Sequence, residues 1–327
     1  MPDTPQLEIL DLRHFSAAQL APLLRDEAAQ WLQRLLWDYT KATQLLLEYL
    51  DGRILPGFVA LRKGKVVGYA FCVYEGEKAV IGDVYAFGET AATSNPICET
   101  LLHHTLEMLQ ATPAIDRIES QLLMFPAGSL HGPFLSRGFH PFPRLFMICD
   151  LRSSPLTQSV AKTPPAPGFR IEPWRPEFYD SVAGLIHRSY AGHMDAGIND
   201  QYRTLHGAQR FLHNIIRFPG CGAFDAQNSW ILRDARTLNI EGLILCSRVR
   251  DDVGHITQLC ISPQMHHHGL GQALLEHCAR KFLASGVQGL SLTVTEANTP
   301  ALSLYTHNGF KTLHRFEAMV WDERSGA

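Results

Sequence analysis

The residues Leu259-Cys-Ile-Ser-Pro-Gln-Met-His-His-His-Gly-Leu-Gly-Gln-Ala-Leu-Leu275 run from an apolar strand pattern, through a proline turn, into a helix opened by glycines. Gly269 and Gly271 have no Cβ, so backbone N–H groups can approach an anion while the new helix presents its positive end. The chemistry this suits is a phosphate cradle built from main chain. No Gly-Lys-Ser/Thr follows and the first glycine of a dinucleotide fingerprint is missing, so neither a Walker loop nor a Rossmann site is read here. From the two glycines alone, a plain glycine-opened helix is the preferred reading. His266-His267-His268 offers three imidazoles, but three consecutive residues of a regular element cannot all face one ion, and no metal site is expected. Cys221, flanked by glycines, has no local partner for nucleophilic work and reads as a loop residue.

The elements that must position these residues follow from periodicity. The second half reads as strand Phe169–Pro173, helices near 176–190 and 201–216, and strands at 229–233, 242–249 and 254–261. A helix at 271–285, a strand at 289–295, a helix at 300–308 and a closing strand at 316–321 complete it. The first half gives the same order: a strand from Leu7, helical periodicity from about 17 to 50, and strands at 57–62, 66–74 and 79–87. A helix near 97–110, a strand at 117–123, a short helix ending in Arg137-Gly-Phe139 and a final strand at 145–151 follow. Between the halves, residues 152–167 are rich in Pro, Ser and Thr and read as a linker. The expected fold class is therefore α/β with mixed sheets, as two tandem copies of one unit over 1–151 and 168–327.

Composition narrows the function classes. At 327 residues, with 46% hydrophobic and 19% charged side chains, the chain is long and apolar enough for two cores and is no disordered chain or coiled coil. A net charge of −3 gives no global attraction to nucleic acid or anionic membrane. No apolar stretch approaches about 18 residues, and the N-terminus carries no signal-peptide pattern. Seven cysteines form no CxxC pair, so a reduced, cytoplasmic protein is expected.

About thirty residues past the glycines stands Asn298-Thr-Pro-Ala-Leu-Ser-Leu-Tyr305-Thr-His-Asn-Gly309-Phe310. Together with the cradle this resembles the GNAT superfamily of acyl-CoA-dependent N-acyltransferases. Its signature is Val-x-Pro, then Arg/Gln-x-x-Gly-x-Gly/Ala, and later Asn-x-x-Ala-x-x-Leu-Tyr with Gly-Phe. The resemblance is specific over 253–310; His266 stands where Arg or Gln is usual. It implies that Leu259, Cys260 and Ile261 present backbone to the pantetheine arm of acetyl-CoA, the co-substrate. It also implies that His266, His267, His268, Gly269, Leu270 and Gly271 cradle the pyrophosphate, that Asn298 contacts the cofactor, and that Tyr305 protonates the departing thiolate. The loop that sets acceptor specificity would be Ser189–Arg203. There Tyr190, His193, Asp195 and Tyr202 could hold a cationic amine through carboxylate and aromatic contacts, or form a solvated loop with a helix cap at Asn199 or Asp200.

The general base stays open. Ribosomal-protein N-terminal acetyltransferases of this superfamily carry a Glu five residues before the asparagine, where this chain has Thr293. Glu296, sharing a strand face with Val294 by parity or else capping the next helix, is one candidate. His255, at the start of the strand leading to the cradle, is another. The first half lacks the glycine motif. Glu89 there would repel a pyrophosphate, and Phe134 stands where the tyrosine would be. The expectation is one working acetyltransferase domain beside a degenerate copy. The acceptor would be a small-molecule amine or peptide N-terminus, the protein a monomer or homodimer. The alternative is a non-catalytic acyl-CoA sensor or scaffold.

Overall fold

The computed structural model describes residues 7–89, 95–158 and 167–323. In chain order its elements are β1 (Leu7–Asp11), α1 (Ala17–Leu35), α2 (Thr40–Asp51), β2 (Gly57–Arg62), β3 (Lys65–Glu75), β4 (Lys78–Ala86), α3 (Pro96–Gln110), β5 (Arg117–Gln121), α4 (His131–Leu135) and β6 (His140–Asp150). There follow α5 (Pro155–Gln158), β7 (Phe169–Pro173), α6 (Tyr179–Tyr190), α7 (Asp195–Ile198), α8 (Leu205–Arg217), β8 (Ala223–Phe224), β9 (Trp230–Asp234) and β10 (Ile240–Arg250). The last are β11 (Val253–Ile261), α9 (Leu270–Ala284), β12 (Gly289–Thr295), α10 (Thr299–His307) and β13 (Lys311–Asp322).

The chain divides into two compact units, one of 1–35, 39–144 and 314–327, the other of 36–38 and 145–313. This differs from a division at 152–167. Each half's closing strand belongs to the other unit: Ala318–Asp322 of β13 pairs antiparallel with β5 in the first, while Leu145–Asp150 counts with the second. Alternating apolar residues announce a strand but not which sheet edge it joins, so the exchange is invisible to periodicity. Residues 159–166 of the expected linker lie outside the described residues. The single helical run expected over 17–50 is two helices, broken where Leu36 takes φ 56°.

In the first unit the sheet order is β1-β2-β3-β4-β5-β13, antiparallel except for the parallel β4–β5 pair. Leu20, Leu23 and Leu24 of α1 and Leu46 and Leu50 of α2 pack on Val59, Tyr69 and Tyr85. The second unit runs β6-β12-β11-β10-β9-β7, with β8 also on β10. Residues of β10 alternate between its two cores: Leu243 and Leu245 face α6 and α8, whereas Ile244 and Cys246 face α9. Each buried leucine contributes about 1.5–3 kcal/mol. Among the described residues no helix is long and apolar enough to cross a membrane.

Candidate active site

The site begins with two irregularities in β11. Opposite β10, Leu245 pairs with Gln258 and Cys246 with Ile256, so Thr257 is an extra residue, a bulge held by its Oγ1–H donating to Leu245 O (2.8 Å). Opposite β12, the parallel pairing covers only Val253–Ile256. Beyond that point, among the described residues, β11 has no partner on its β12 side, and Leu259, Cys260 and Ile261 line a cleft there.

The chain then turns through Pro263–Met265 into the cradle. His267 has φ 65° and Gly269 φ 71°, a region few L residues adopt without strain. His266 Nε2–H donates to Ile261 O (3.0 Å) and His268 Nδ1–H to His266 O (2.8 Å), which pins the turn. Gly269 is the N-cap of α9 and no side chain caps that terminus. A Cβ on Gly269 would meet nothing within 4 Å, while one on Gly271 would stand against Ile261 and Leu304, on the cleft wall. An uncapped helix N-terminus with both glycines beside a free strand edge fits an anionic, extended ligand such as acyl-CoA.

The facing wall is α10. Asn298 is its N-cap, Oδ1 accepting from Ala301 N–H (3.3 Å). Two turns on, Tyr305 is 8% exposed, packs on Phe310 and lines the cleft. Burial, and after it the nearby Asp195 and Cys260, push its phenol above the ordinary tyrosine range, so the proton stays on oxygen. Burial likewise pushes the Cys260 thiol up to about 12. The cleft encloses about 550 Å³.

Of the residues singled out from sequence, Leu259, Cys260, Ile261, His266, His267, Gly269, Leu270, Gly271, Asn298, Tyr305, Tyr190 and His193 all line this cleft. His268 does not. Tyr202 stands behind Tyr190, stacked at 4.1 Å, and its hydroxyl donates to Gln258 Oε1 (3.2 Å). Asp195 is also behind the wall: Thr295 Oγ1–H donates to its Oδ1 (2.6 Å), and its own backbone N–H donates to His193 Nδ1 (3.1 Å). It therefore braces His193 rather than facing an amine.

Both candidate bases fall outside the cleft. His255 precedes Leu259 by four residues, about 13 Å of strand at ~3.3 Å per residue. It is 4% exposed, bonded to Ser291 Oγ (2.9 Å) between Trp37 and Phe146, and burial holds its pKa down at about 3. Glu296 lies past the end of β12, where strand parity no longer applies, and the cap of the next helix is made by Asn298 instead. Sequence reasoning missed Ser189, Met265, Gln272, Pro300, Ala301 and Leu304, which also line the cleft. For Ala301 and Leu304 on α10 the signal was present: Ala301 lies four residues before Tyr305 and three before Leu304, the spacing of neighbours on a helix surface.

Comparison with known proteins fits this geometry. Residues 202–310 match the acetyltransferase (GNAT) family. No curated protein matches the chain in sequence. Among solved structures, a GCN5-related N-acetyltransferase from Sphaerobacter thermophilus aligns with TM-score 0.65 at 15% identity, over 99% of this chain and 97% of that one. A tandem GNAT protein from the clavulanic acid biosynthesis pathway aligns with TM-score 0.58 at 16% identity, over 97% and 99%. A GCN5-related glucosamine N-acetyltransferase region of a fungal multi-domain β-N-acetylglucosaminidase aligns with TM-score 0.66 at 13% identity, over 98% of this chain and 38% of that one. At such identities the likeness is one of fold. Residues 202–310 are thus similar to the GNAT family, and along nearly its whole length the chain has the fold of tandem GNAT proteins.

Proposed function

We propose that the second unit transfers an acetyl group from acetyl-CoA to a primary amine, by direct attack within a ternary complex, in the cytoplasm. The observation that carries this is the convergence, in one cleft, of an uncapped α9 N-terminus, an unpaired strand edge and a buried protonated tyrosine. Bound acetyl-CoA would supply a thioester whose carbonyl carbon the neutral amine attacks, forming the C–N bond as the C–S bond breaks. The N–H groups at Leu270, Gly271 and Gln272 would hold the pyrophosphate. Tyr305 would give its proton to the leaving sulfur and regain one from water, while the amine nitrogen loses its proton to solvent. Cys260 is a poor alternative nucleophile, because its thiol stays protonated at neutral pH. The acceptor would be a small-molecule amine or a peptide N-terminus.

The test is calorimetric titration with acetyl-CoA, followed by thiol release across a panel of amines. One equivalent bound per chain and amine-dependent thiol release is the expected result. Binding without turnover on any amine would favour an acyl-CoA sensor, and no binding would leave a scaffold.

A further inference from the structure

The wall between α7 and α10 holds a pair of donors that, among the described residues, have no acceptor between them. Asn298 has committed its Oδ1 to the Ala301 N–H as a helix cap, so its amide NH2 faces the other way. There it stands 3.4 Å from His193 Nε2. A neutral imidazole has one lone pair, and that of His193 is taken at Nδ1 by the backbone N–H of Asp195 (3.1 Å). The tautomer is thereby set with the proton on Nε2. The nearer carboxylate oxygen of Asp195 lies 3.8 Å from Nδ1, beyond hydrogen-bond range, and Thr295 holds the other. Two N–H donors thus meet at a wall of the cleft, and an oxygen atom from outside the protein is what would satisfy both.

We propose that His193 Nε2–H and Asn298 Nδ2–H form an oxyanion-binding pair, receiving the acyl carbonyl oxygen as negative charge builds on it during amine attack. The assignment rests on the acetyltransferase reading above. It gives His193 a role other than binding a cationic amine, and one that needs no change in its charge. The amine nitrogen adds to the carbonyl carbon, the C=O electron pair moves onto oxygen beside the two donors, and it returns as the C–S bond breaks. Tyr190 stands edge-on to the imidazole at 5.2 Å, and Tyr190, Tyr305 and Cys260 are all kept protonated by burial. Asp195 is the carboxylate in contact with it.

Removing one such donor costs roughly 10²- to 10³-fold in kcat. His193→Leu should show that loss, whereas His193→Gln, which retains a side-chain N–H, should recover most of it. Equal losses in both variants, with disappearance of the acidic limb of the pH–rate profile, would instead make His193 a base and overturn the donor role. So would full activity in His193→Leu. Two measurements stand apart from turnover. Nitrogen-15 shifts of the wild-type ring, identified by their absence in His193→Gln, should report a protonated Nε2 and a bare Nδ1; the reverse tautomer overturns the proposal. Wild-type protein should bind acetyl-CoA about 3- to 10-fold tighter than CoA, the worth of one net hydrogen bond, and His193→Leu should abolish that preference. A preference unchanged in His193→Leu would place the oxygen on the acceptor substrate and overturn the carbonyl assignment alone. Failure of the wild type to bind either cofactor would overturn the acetyltransferase reading itself.

Discussion

The two units carry the same strand irregularities and put them to opposite uses. In the first, β3 pairs Phe71 with Asp83 and Cys72 with Ile81, leaving Gly82 as the extra residue, and the parallel pairing of β4 with β5 ends at Ile81. Bulge and divergence thus recur at the same step as in β11, which aligns Val84, Tyr85 and Ala86 with Leu259, Cys260 and Ile261. What differs is what occupies the space. The buried Tyr85 stands at the position of Cys260, its hydroxyl bonded to Asp26. At the head of α3, the Glu89 carboxylate accepts the N–H groups of Ile97 (3.1 Å) and Cys98 (3.0 Å). Glu89 is the helix's own anion, whereas the N-terminus of α9 has no side-chain cap. A backbone geometry built to open a sheet does not by itself make a binding site; the side chains that fill or leave the opening decide.

The largest effect should come from copying one arrangement into the other. Gly271→Glu places a carboxylate among the α9 N–H groups, and repulsion of several kcal/mol should weaken acetyl-CoA binding by roughly 100-fold or more. Conversely, Glu89→Ala removes the α3 cap, lowering stability by about 1–2 kcal/mol without creating a second binding site, because Tyr85 still fills the opening. Calorimetric stoichiometry reads both variants. A second equivalent of acetyl-CoA in Glu89→Ala would mean that Glu89 alone separates the two units.

The tyrosine position separates the units in turnover rather than in binding. Tyr305→Phe should reduce kcat by about 10²- to 10⁴-fold while cofactor binding changes little, since the proton is needed only as the sulfur leaves. Its counterpart Phe134 is buried edge-on against Phe139 at 5.1 Å. Phe134→Tyr should therefore cost stability through a buried hydroxyl and add no activity. An undiminished kcat in Tyr305→Phe would remove the tyrosine from the chemistry.

Most of the residues that line the cleft were legible in the sequence, and the limits of that reading have physical causes. Strand 259–261, the glycine-opened helix, Asn298 and Tyr305 are local patterns, and local patterns are what periodicity and caps report. His255 looked chemical because imidazole is versatile. Only the packing of Trp37 and Phe146 around it shows a buried, neutral ring. Asp195 looked like a cation receptor until Thr295, a hundred residues away, was seen to hold it. Glu89 was read as repelling a pyrophosphate; the structure adds that its carboxylate accepts the N–H groups of Ile97 and Cys98 at the head of α3. Residues 90–94 of that loop lie outside the described residues. The exchanged closing strands and the break at Leu36 depend on long-range pairing, for which a single sequence holds no local sign.

The finest distinction between the units lies in their response to pH. In the first, Glu27 (1% exposed) and Asp83 (5% exposed) hydrogen-bond one another, and Tyr69 O–H (2.8 Å) and Trp31 N–H (3.3 Å) donate to Glu27. Burial raises both carboxyls from their ordinary values, Asp83 the more strongly. A raised acid binds more protons folded than unfolded, so its contribution is complete at low pH and is lost as pH climbs above about 4–4.5. In the second unit, burial lowers His255 from 6.5 to about 3, so the unfolded chain binds the extra proton and stability is lost as pH falls from 6.5 towards 3. Each proton contributes at most ~1.4 kcal/mol per pH unit across its window. Hydrogen exchange followed from pH 4 to 8 should show α1 and β4 opening more readily as pH rises, and β11 and β12 opening more readily as it falls. Glu27→Gln should flatten only the first trend and His255→Phe only the second. If either substitution flattened both, the units would respond to protons as one cooperative body, and the contrast between an internally neutralised unit and an open one would not extend to their stability.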